Sequence, residues 1–227
     1  MAGPLRKLEF DVVRFEQHVG LLASGVANTV LDLRGNAHGI GNELVQPLLE
    51  RVGVSVLDLT FDENHAGTTG QDPEQIVVSG DDLFGYANSG HGFARFSGTV
   101  VNVKRVSAGR RISYGYTYTT SAETTLALVN LGYADGAVRR ASSLAPVRIG
   151  EQTGVIAGRI AMDQFVVDLG NVEARPGDEA VLWGDPENGE PSINEWSKLT
   201  GIPVLALLSA VGPRVARLPL HHNGGVV

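Results

Sequence analysis

The chain has 227 residues, with 18 basic and 25 acidic side chains and a formal net charge of −7; that balance argues against nucleic acid or an anionic membrane surface as its partner. It contains no cysteine, which excludes disulfides, thiolate metal sites and cysteine nucleophiles. No apolar run approaches the ~18 residues of a membrane span and no signal-peptide core opens the chain, so a cytoplasmic protein is expected.

Glycine occurs 29 times and proline 10 times, which points to many turns and short elements in one large or two small domains. Leu8–Val13 reads as a short strand. Arg14–Ala23 places Phe15, Val19 and Leu22 on one helical face, with Gly25 as the stop. Val26–Leu33 is apolar and β-rich. Asn42–Arg51 puts Leu44, Leu48 and Leu49 on one face, with Gly53 as the stop and Pro47 as a kink or delay within the pattern. Val54–Leu59 and Ile76–Val78 read as strands, and the polar Asp62–Glu74 as a loop. This strand–helix–strand spelling is that of a parallel β unit.

From residue 92 the texture changes. Phe96–Arg105, Leu126–Leu131, Val147–Ile149, Gly154–Ile160, Phe165–Leu169 and Glu179–Leu182 are β-rich runs between turn signals, the rhythm of an antiparallel barrel or sandwich. One helix is expected here: Ser192 as N-cap, Glu195 three residues on, then Trp196 and Leu199, ended by Gly201.

Nucleotide-loop, serine-hydrolase and zinc-protease motifs are missing. Gly39-Ile40-Gly41 is either a plain tight turn or a set of backbone N–H groups offered to an anion. Tyr114, Tyr116 and Tyr118 alternate as they would along one face of a strand. His221-His222 reads as a disordered tail or, alternatively, a metal site.

Several motifs occur in order: Val101–Gly109, Ser113-Tyr114-Gly115, Gly132–Gly136 (Gly-Tyr-Ala-Asp-Gly), Gly158–Gln164, Arg175–Asp178 and Gly212–Val215. Together they resemble the C-terminal domain of alanine racemase over about residues 92–218. Upstream, Leu8–Leu22, Leu33–Gly41 and Gly80–Asn88 resemble the family's entry strand and first helix, its cofactor-lysine segment and the exit from its last barrel strand. The resemblance implies pyridoxal-phosphate isomerases with an N-terminal (β/α)₈ barrel and a C-terminal β domain that completes the partner's active site in a head-to-tail dimer. A lysine there forms the Schiff base, and a tyrosine from the partner acts on the opposite substrate face.

Carried over by position, Tyr114 matches the catalytic tyrosine. Tyr133, Arg139 and Arg159 match entrance-corridor positions. Met162 matches the residue whose backbone N–H meets the substrate carboxylate, and Asp163 follows it. The barrel half departs from the family. Arg34 stands where the Schiff-base lysine should be, and a guanidinium stays protonated and forms no aldimine. Lys7, Lys104 and Lys198 are the only lysines, and none lies in a barrel segment. His38 replaces the family's tyrosine. The tyrosine that meets the cofactor phosphate should fall near Leu205, but no tyrosine follows Tyr133.

A complete barrel of this type needs about 200–250 residues, far more than the segment before Asn88 supplies. The resemblance therefore implies an α+β chain: residues 1–90 as a small truncated α/β remnant of a TIM barrel, 91–220 as an antiparallel β-barrel-like domain, and 221–227 as a tail. The remnant sheet is expected in the order second–first–eighth strand, with Val26–Leu33 central and both edges open. No cofactor and no metal are expected. The expected role is a dimerising or small-ligand-binding module, most simply a homodimer. The alternatives are a subunit lending Tyr114 to a full-length alanine racemase, or a racemase of L- and D-alanine in its own right.

Overall fold

The computed structural model describes residues 4–23, 29–53, 56–57, 76–87 and 92–221. The predicted Asp62–Glu74 loop, the Gly25 stop, most of Val54–Leu59 and His222 lie outside these residues. The chain divides into two compact units, residues 1–8 with 95–216 and residues 9–94 with 217–227.

Strand β1 (Arg6–Asp11) runs directly into helix α1 (Val12–Ala23), because the Asp11 carboxylate accepts the Arg14 N–H at 3.0 Å and caps the first turn. Val12 therefore opens the helix instead of extending the strand. β2 (Thr29–Asp32) leads into α2 (Arg34–His38), which is a left-handed turn: Gly35, Asn36, Ala37 and His38 have φ of 64°, 59°, 53° and 51°. The N–H groups of Gly39, Ile40 and Gly41 are all consumed by carbonyls within this turn, so the Gly39-Ile40-Gly41 segment is a turn and offers nothing to an anion.

α3 (Asn42–Val52) follows and ends at Gly53 in the left-handed conformation. Its buried side chains are Val45, Leu48 and Leu49; Leu44, predicted on that face, is only half-buried. Pro47 sits on the exposed side and the helix passes through it. β3 (Val56–Leu57), β4 (Ile76–Val78) and the short α4 (Gly80–Leu83) complete this unit. Both β3 and β4 pair parallel to β2, giving the order β3-β2-β4, the predicted remnant sheet with its first strand central. Phe10, Phe15 and Phe84 are fully buried, and the Phe10–Phe15 and Phe15–Phe84 ring centroids lie 5.0 and 5.7 Å apart. Arg217 donates to the Gly39 carbonyl at 2.9 Å.

The other unit is built from β5 (Ala94–Val106), the two-residue strands β6 (Arg111–Ile112) and β7 (Tyr118–Thr119), β8 (Thr124–Val129), β9 (Pro146–Ile149), β10 (Gln152–Ile156), β11 (Phe165–Asp168) and β12 (Glu179–Trp183). Helices α5 (Ile193–Thr200) and α6 (Val204–Ser209) follow; the last strand, β13 (Ala216–Leu220), belongs from Arg217 on to the unit of residues 9–94. Six strands pair antiparallel in the order β12-β9-β10-β11-β8-β5, and β12 pairs again with β5 to close the barrel. β5 makes closure possible because it is long. Its first half pairs with β12, its second half with β8, and a bulge between Val100 and Asn102 bends it between the two.

Alternate residues fill the interior. Phe96, Val100, Ala127, Val129, Val147, Phe165, Val167 and Leu182 are at most 2% exposed. The Ser192 hydroxyl caps α5 by accepting the Glu195 N–H at 3.0 Å, and Gly201 ends the helix. Trp196 buries its ring and donates its indole N–H to the Pro146 carbonyl at 3.1 Å.

On the barrel wall, Glu179 accepts from both guanidinium amines of Arg95 (3.1 and 2.7 Å), from Ser97 (2.8 Å) and from Lys7 (2.7 Å). Burial opposes the Glu179 charge, but the hydrogen bonds from Arg95, Lys7 and Ser97 and the charge of Arg95 outweigh it and hold the carboxyl down to about 2, against an ordinary 4.5. A carboxyl depressed on folding stabilises above its unfolded pKa and loses that contribution as pH falls through the folded value. The chain is therefore expected to lose stability between pH 4.5 and pH 2, and Glu179→Gln to show a lower melting temperature at pH 7 with a flatter acid limb. Thermal melts of both proteins across that range check this; parallel acid limbs would remove Glu179 as the cause.

Candidate functional site

The segment Ile112–Tyr118 does not form the predicted strand. Tyr114–Tyr116 is a 3-10 turn between β6 and β7, and three residues in it have positive φ: Ser113 at 69°, Gly115 at 73° and Tyr116 at 52°. The Ser113 hydroxyl donates to the Arg159 carbonyl at 2.9 Å. Gly158 allows this approach, since a Cβ there would fall 2.4 Å from the Ser113 Cβ. Tyr118 anchors the other end by donating its hydroxyl to Asp168 at 2.8 Å. Burial and that carboxylate push the Tyr118 hydroxyl up to about 12, so it stays a donor. Between these anchors Tyr114 is left 70% exposed.

The facing wall is the Gly132–Gly136 turn. Asp135 is fully buried. It accepts the Gly132 N–H at 2.9 Å and pairs with Arg214 at 3.0 Å and Arg6 at 3.3 Å. The turn lies against the Met162 bend: Tyr133 N–H donates to Ala161 O and Ala134 N–H to Met162 O, both at 3.0 Å. Arg214 extends from Asp135 to Asp163, 2.7 Å away, and so ties the bend to the turn.

These walls enclose an open cleft of about 530 Å³, lined by Tyr114, Tyr133, Arg139, Ala161, Met162 and Asp163 among others. Arg139 lies over the Tyr133 ring, 5.5 Å from its centroid. It forms no ion pair among the described residues, while Asp163 is neutralised by Arg214. The Met162 N–H donates to no described acceptor. An uncompensated guanidinium and an unused N–H in one cleft are the donors that a carboxylate requires.

The structure thus brings together Tyr114, Tyr133, Arg139, Met162 and Asp163. Arg159 lies against the Tyr114 turn, bonded through its carbonyl to Ser113, and is not among the residues that line the cleft. His38 belongs to the other unit, half-buried, with its ring edge-on to Phe84 at 5.8 Å. Arg34 opens the left-handed turn. Two functional supports escaped the sequence reading. The Asp135–Arg214 pair spans 79 positions, and the Ser113 strain leaves no trace in periodicity. The Gly-Pro-Arg sequence at 212–214 was the one available signal.

Residues 93–219 match the family model for the alanine racemase C-terminal domain. The chain belongs to the alanine racemase family. A relative named alanine racemase from Streptomyces coelicolor is 50% identical over 116 residues, which is 51% of this chain and 30% of the relative. The chain spans about a third of the length of the curated relatives it matches. By structure it is similar to the alanine racemase of Streptomyces coelicolor (TM-score 0.74, 22% identity, 95% of this chain and 98% of that one). It is likewise similar to the Bartonella henselae alanine racemase with covalently bound pyridoxal phosphate (TM-score 0.78, 15% identity, 96% and 100%).

A covalently held pyridoxal phosphate needs a lysine amine. Position 34, in the segment that resembles the family's cofactor-lysine segment, is arginine. Lys7 is committed to Glu179, Lys104 lies on β5 and Lys198 in α5, and none lies in residues 33–41. This donor set does not fit the cofactor.

Gly132 is the position on which cleft geometry depends most directly, because a Cβ there would stand 2.2 Å from the Met162 carbonyl oxygen. Gly132→Ala is expected to destabilise the chain by about 2–3 kcal/mol and to shift the amide resonances of both walls. Urea unfolding with amide NMR checks this; unchanged stability and spectra would contradict the close turn–bend packing.

Proposed function

We propose that this member of the alanine racemase family is a non-catalytic module. Its barrel unit binds a small carboxylate in the Tyr114 cleft, and it performs no pyridoxal-phosphate chemistry on its own. The observation that carries the reading is the pairing, within one cleft, of an unneutralised Arg139 and an unused Met162 N–H, together with a segment, residues 33–41, that resembles the family's cofactor-lysine segment and holds no lysine. Arg139 takes the carboxylate, Met162 N–H orients it, Tyr133 positions Arg139, and Asp163 fixes the bend through Arg214. Racemisation in this cleft is disfavoured because an amino-acid α-proton needs an electron sink to leave.

The division into a short α/β portion (1–90), a β domain (91–220) and a tail (221–227) is part of this reading, as are a cytoplasmic location and a homodimer. Among the described residues no helix is long and apolar enough to cross a membrane. Tyr114, Tyr116, Tyr133 and Met162 are all at least 40% exposed, which favours a second chain against this face. The same exposure of Tyr114 supports a second reading, in which it is lent to a full-length alanine racemase that supplies the lysine and cofactor.

Two measurements test the proposal. Incubation with pyridoxal phosphate followed by borohydride is expected to leave no reduced adduct; a stoichiometric adduct on Lys7, Lys104 or Lys198 together with racemisation would overturn the reading. Amide NMR titration with L-alanine is expected to give saturable shifts around Met162, weakened about tenfold by Arg139→Gln. Absence of those shifts would remove the carboxylate site. Mixing with a full-length racemase and following subunit exchange separates the homodimer from the lent-tyrosine reading.

A further inference from the structure

The barrel unit carries a second cleft, of about 460 Å³, bounded by Lys104, Val106, Arg110, Arg111, Ile112 and Leu126. It shares no lining residue with the Tyr114 cleft, so nothing in this inference rests on the function proposed above. Its volume falls in the range of small-molecule sites, about 300–1,000 Å³.

Strand alternation sorts the charges on β5. Lys104 and Val106 share one face, and Lys104 stands opposite Leu126 of β8. Arg105 projects from the other face and is neutralised there by Glu123 at 2.6 Å, with Asn171 at 2.7 Å. Arg110 and Arg111 arrive on the loop that follows β5, and this loop is fixed. Thr120, 2% exposed, donates its hydroxyl to Ser107 O at 2.9 Å and accepts the Arg110 N–H at 3.0 Å. Backbone bonds join Gly109 N–H to Thr120 O at 2.8 Å and Thr120 N–H to Arg110 O at 3.0 Å. Gly109 supplies the left-handed residue the loop needs, with φ at 77°. Arg111 is steadied over the Tyr116 ring, 5.8 Å from its centroid.

Lys104, Arg110 and Arg111 form no ion pair among the described residues. The nearby carboxylates are already committed, Glu123 to Arg105 and Asp168 to the hydroxyls of Tyr118 and Thr124. Three cations therefore converge on one cleft in a chain whose net charge is −7. Their mutual repulsion is relieved by an anion carrying more than one charge, and guanidinium forks match phosphate oxygens. Val106, Ile112 and Leu126 add an apolar wall.

We infer that this cleft binds a phosphate-bearing small organic molecule, with Lys104, Arg110 and Arg111 taking the phosphate oxygens and Val106, Ile112 and Leu126 the apolar body. The test is an amide NMR titration of the full chain with inorganic pyrophosphate at constant ionic strength. Saturable shifts centred on residues 109–112 are expected. Lys104→Gln and Arg110→Gln are each expected to weaken binding about tenfold, and the double variant to abolish it. All three cations are exposed, so an unchanged melting temperature in the variants shows that the loss is one of binding. Shifts that grow without saturating, that centre on Met162, or that persist in the double variant would overturn the inference. So would binding to phosphatidylserine vesicles without saturable pyrophosphate shifts, which would assign the cations to a lipid surface.

Discussion

The buried carboxylate of Asp135 is the interaction on which the barrel unit's cleft depends. A charge with no solvent exposure survives only when paired and hydrogen-bonded. Asp135 meets that condition with Arg214, Arg6 and the Gly132 N–H. Those partners come from three distant parts of the chain, so satisfying one carboxylate fixes the turn after β8, the segment after α6 and the N-terminal strand together. Arg214 then carries the constraint onward to Asp163 and the Met162 bend. Removing either arginine leaves a buried charge short of donors, which is why the positions of Tyr133 and Met162 cannot be adjusted independently.

The opposite wall is held by strain balanced against local bonds. Ser113, with φ at 69° and ψ at 171°, occupies backbone space that is nearly reserved for glycine and costs about 1–3 kcal/mol. It is kept there by its bond to the Arg159 carbonyl, by the room Gly158 leaves, and by the β6–β7 pairing behind it. Arg159 thus supports the turn with its backbone carbonyl, while its guanidinium lies beside Gly115. Tyr114, on the turn these bonds fix, is left 70% exposed.

Much of this was legible in the sequence, for reasons particular to each element. The six barrel strands announced themselves because Gly-rich turns bracket short runs of Val, Ile, Leu and Phe. Helix α5 was readable from both ends, since Ser192 and Gly201 are chemically specific caps. The order of the parallel sheet followed from the resemblance alone. Helix α6 was missed because Val204–Leu208 is apolar throughout and Pro203 caps it without a side-chain bond. The Tyr114 turn was misread because its alternating tyrosines satisfy a strand pattern while Ser113 breaks it in a torsion no pattern encodes. Val45 rather than Leu44 joins Leu48 and Leu49 in the core, because 45, 48 and 49 keep the i, i+3, i+4 spacing of one helical face.

Recognition and chemistry lie in different residues, and that separation makes a non-catalytic family member physically reasonable. Holding a carboxylate takes a guanidinium, a well-aimed N–H and a wall, all of which one barrel can supply from its own loops. Moving an α-proton additionally takes an electron sink, which the family ties to a lysine amine. The chain keeps the first set on a rigid scaffold. In its short α/β unit Phe10, Phe15 and Phe84 are fully buried, and position 34, in the segment that resembles the family's cofactor-lysine segment, is arginine. A guanidinium cannot exchange its nitrogen into an imine. On the reading proposed above, arginine at position 34 removes turnover and leaves the Asp135-centred cleft available for binding.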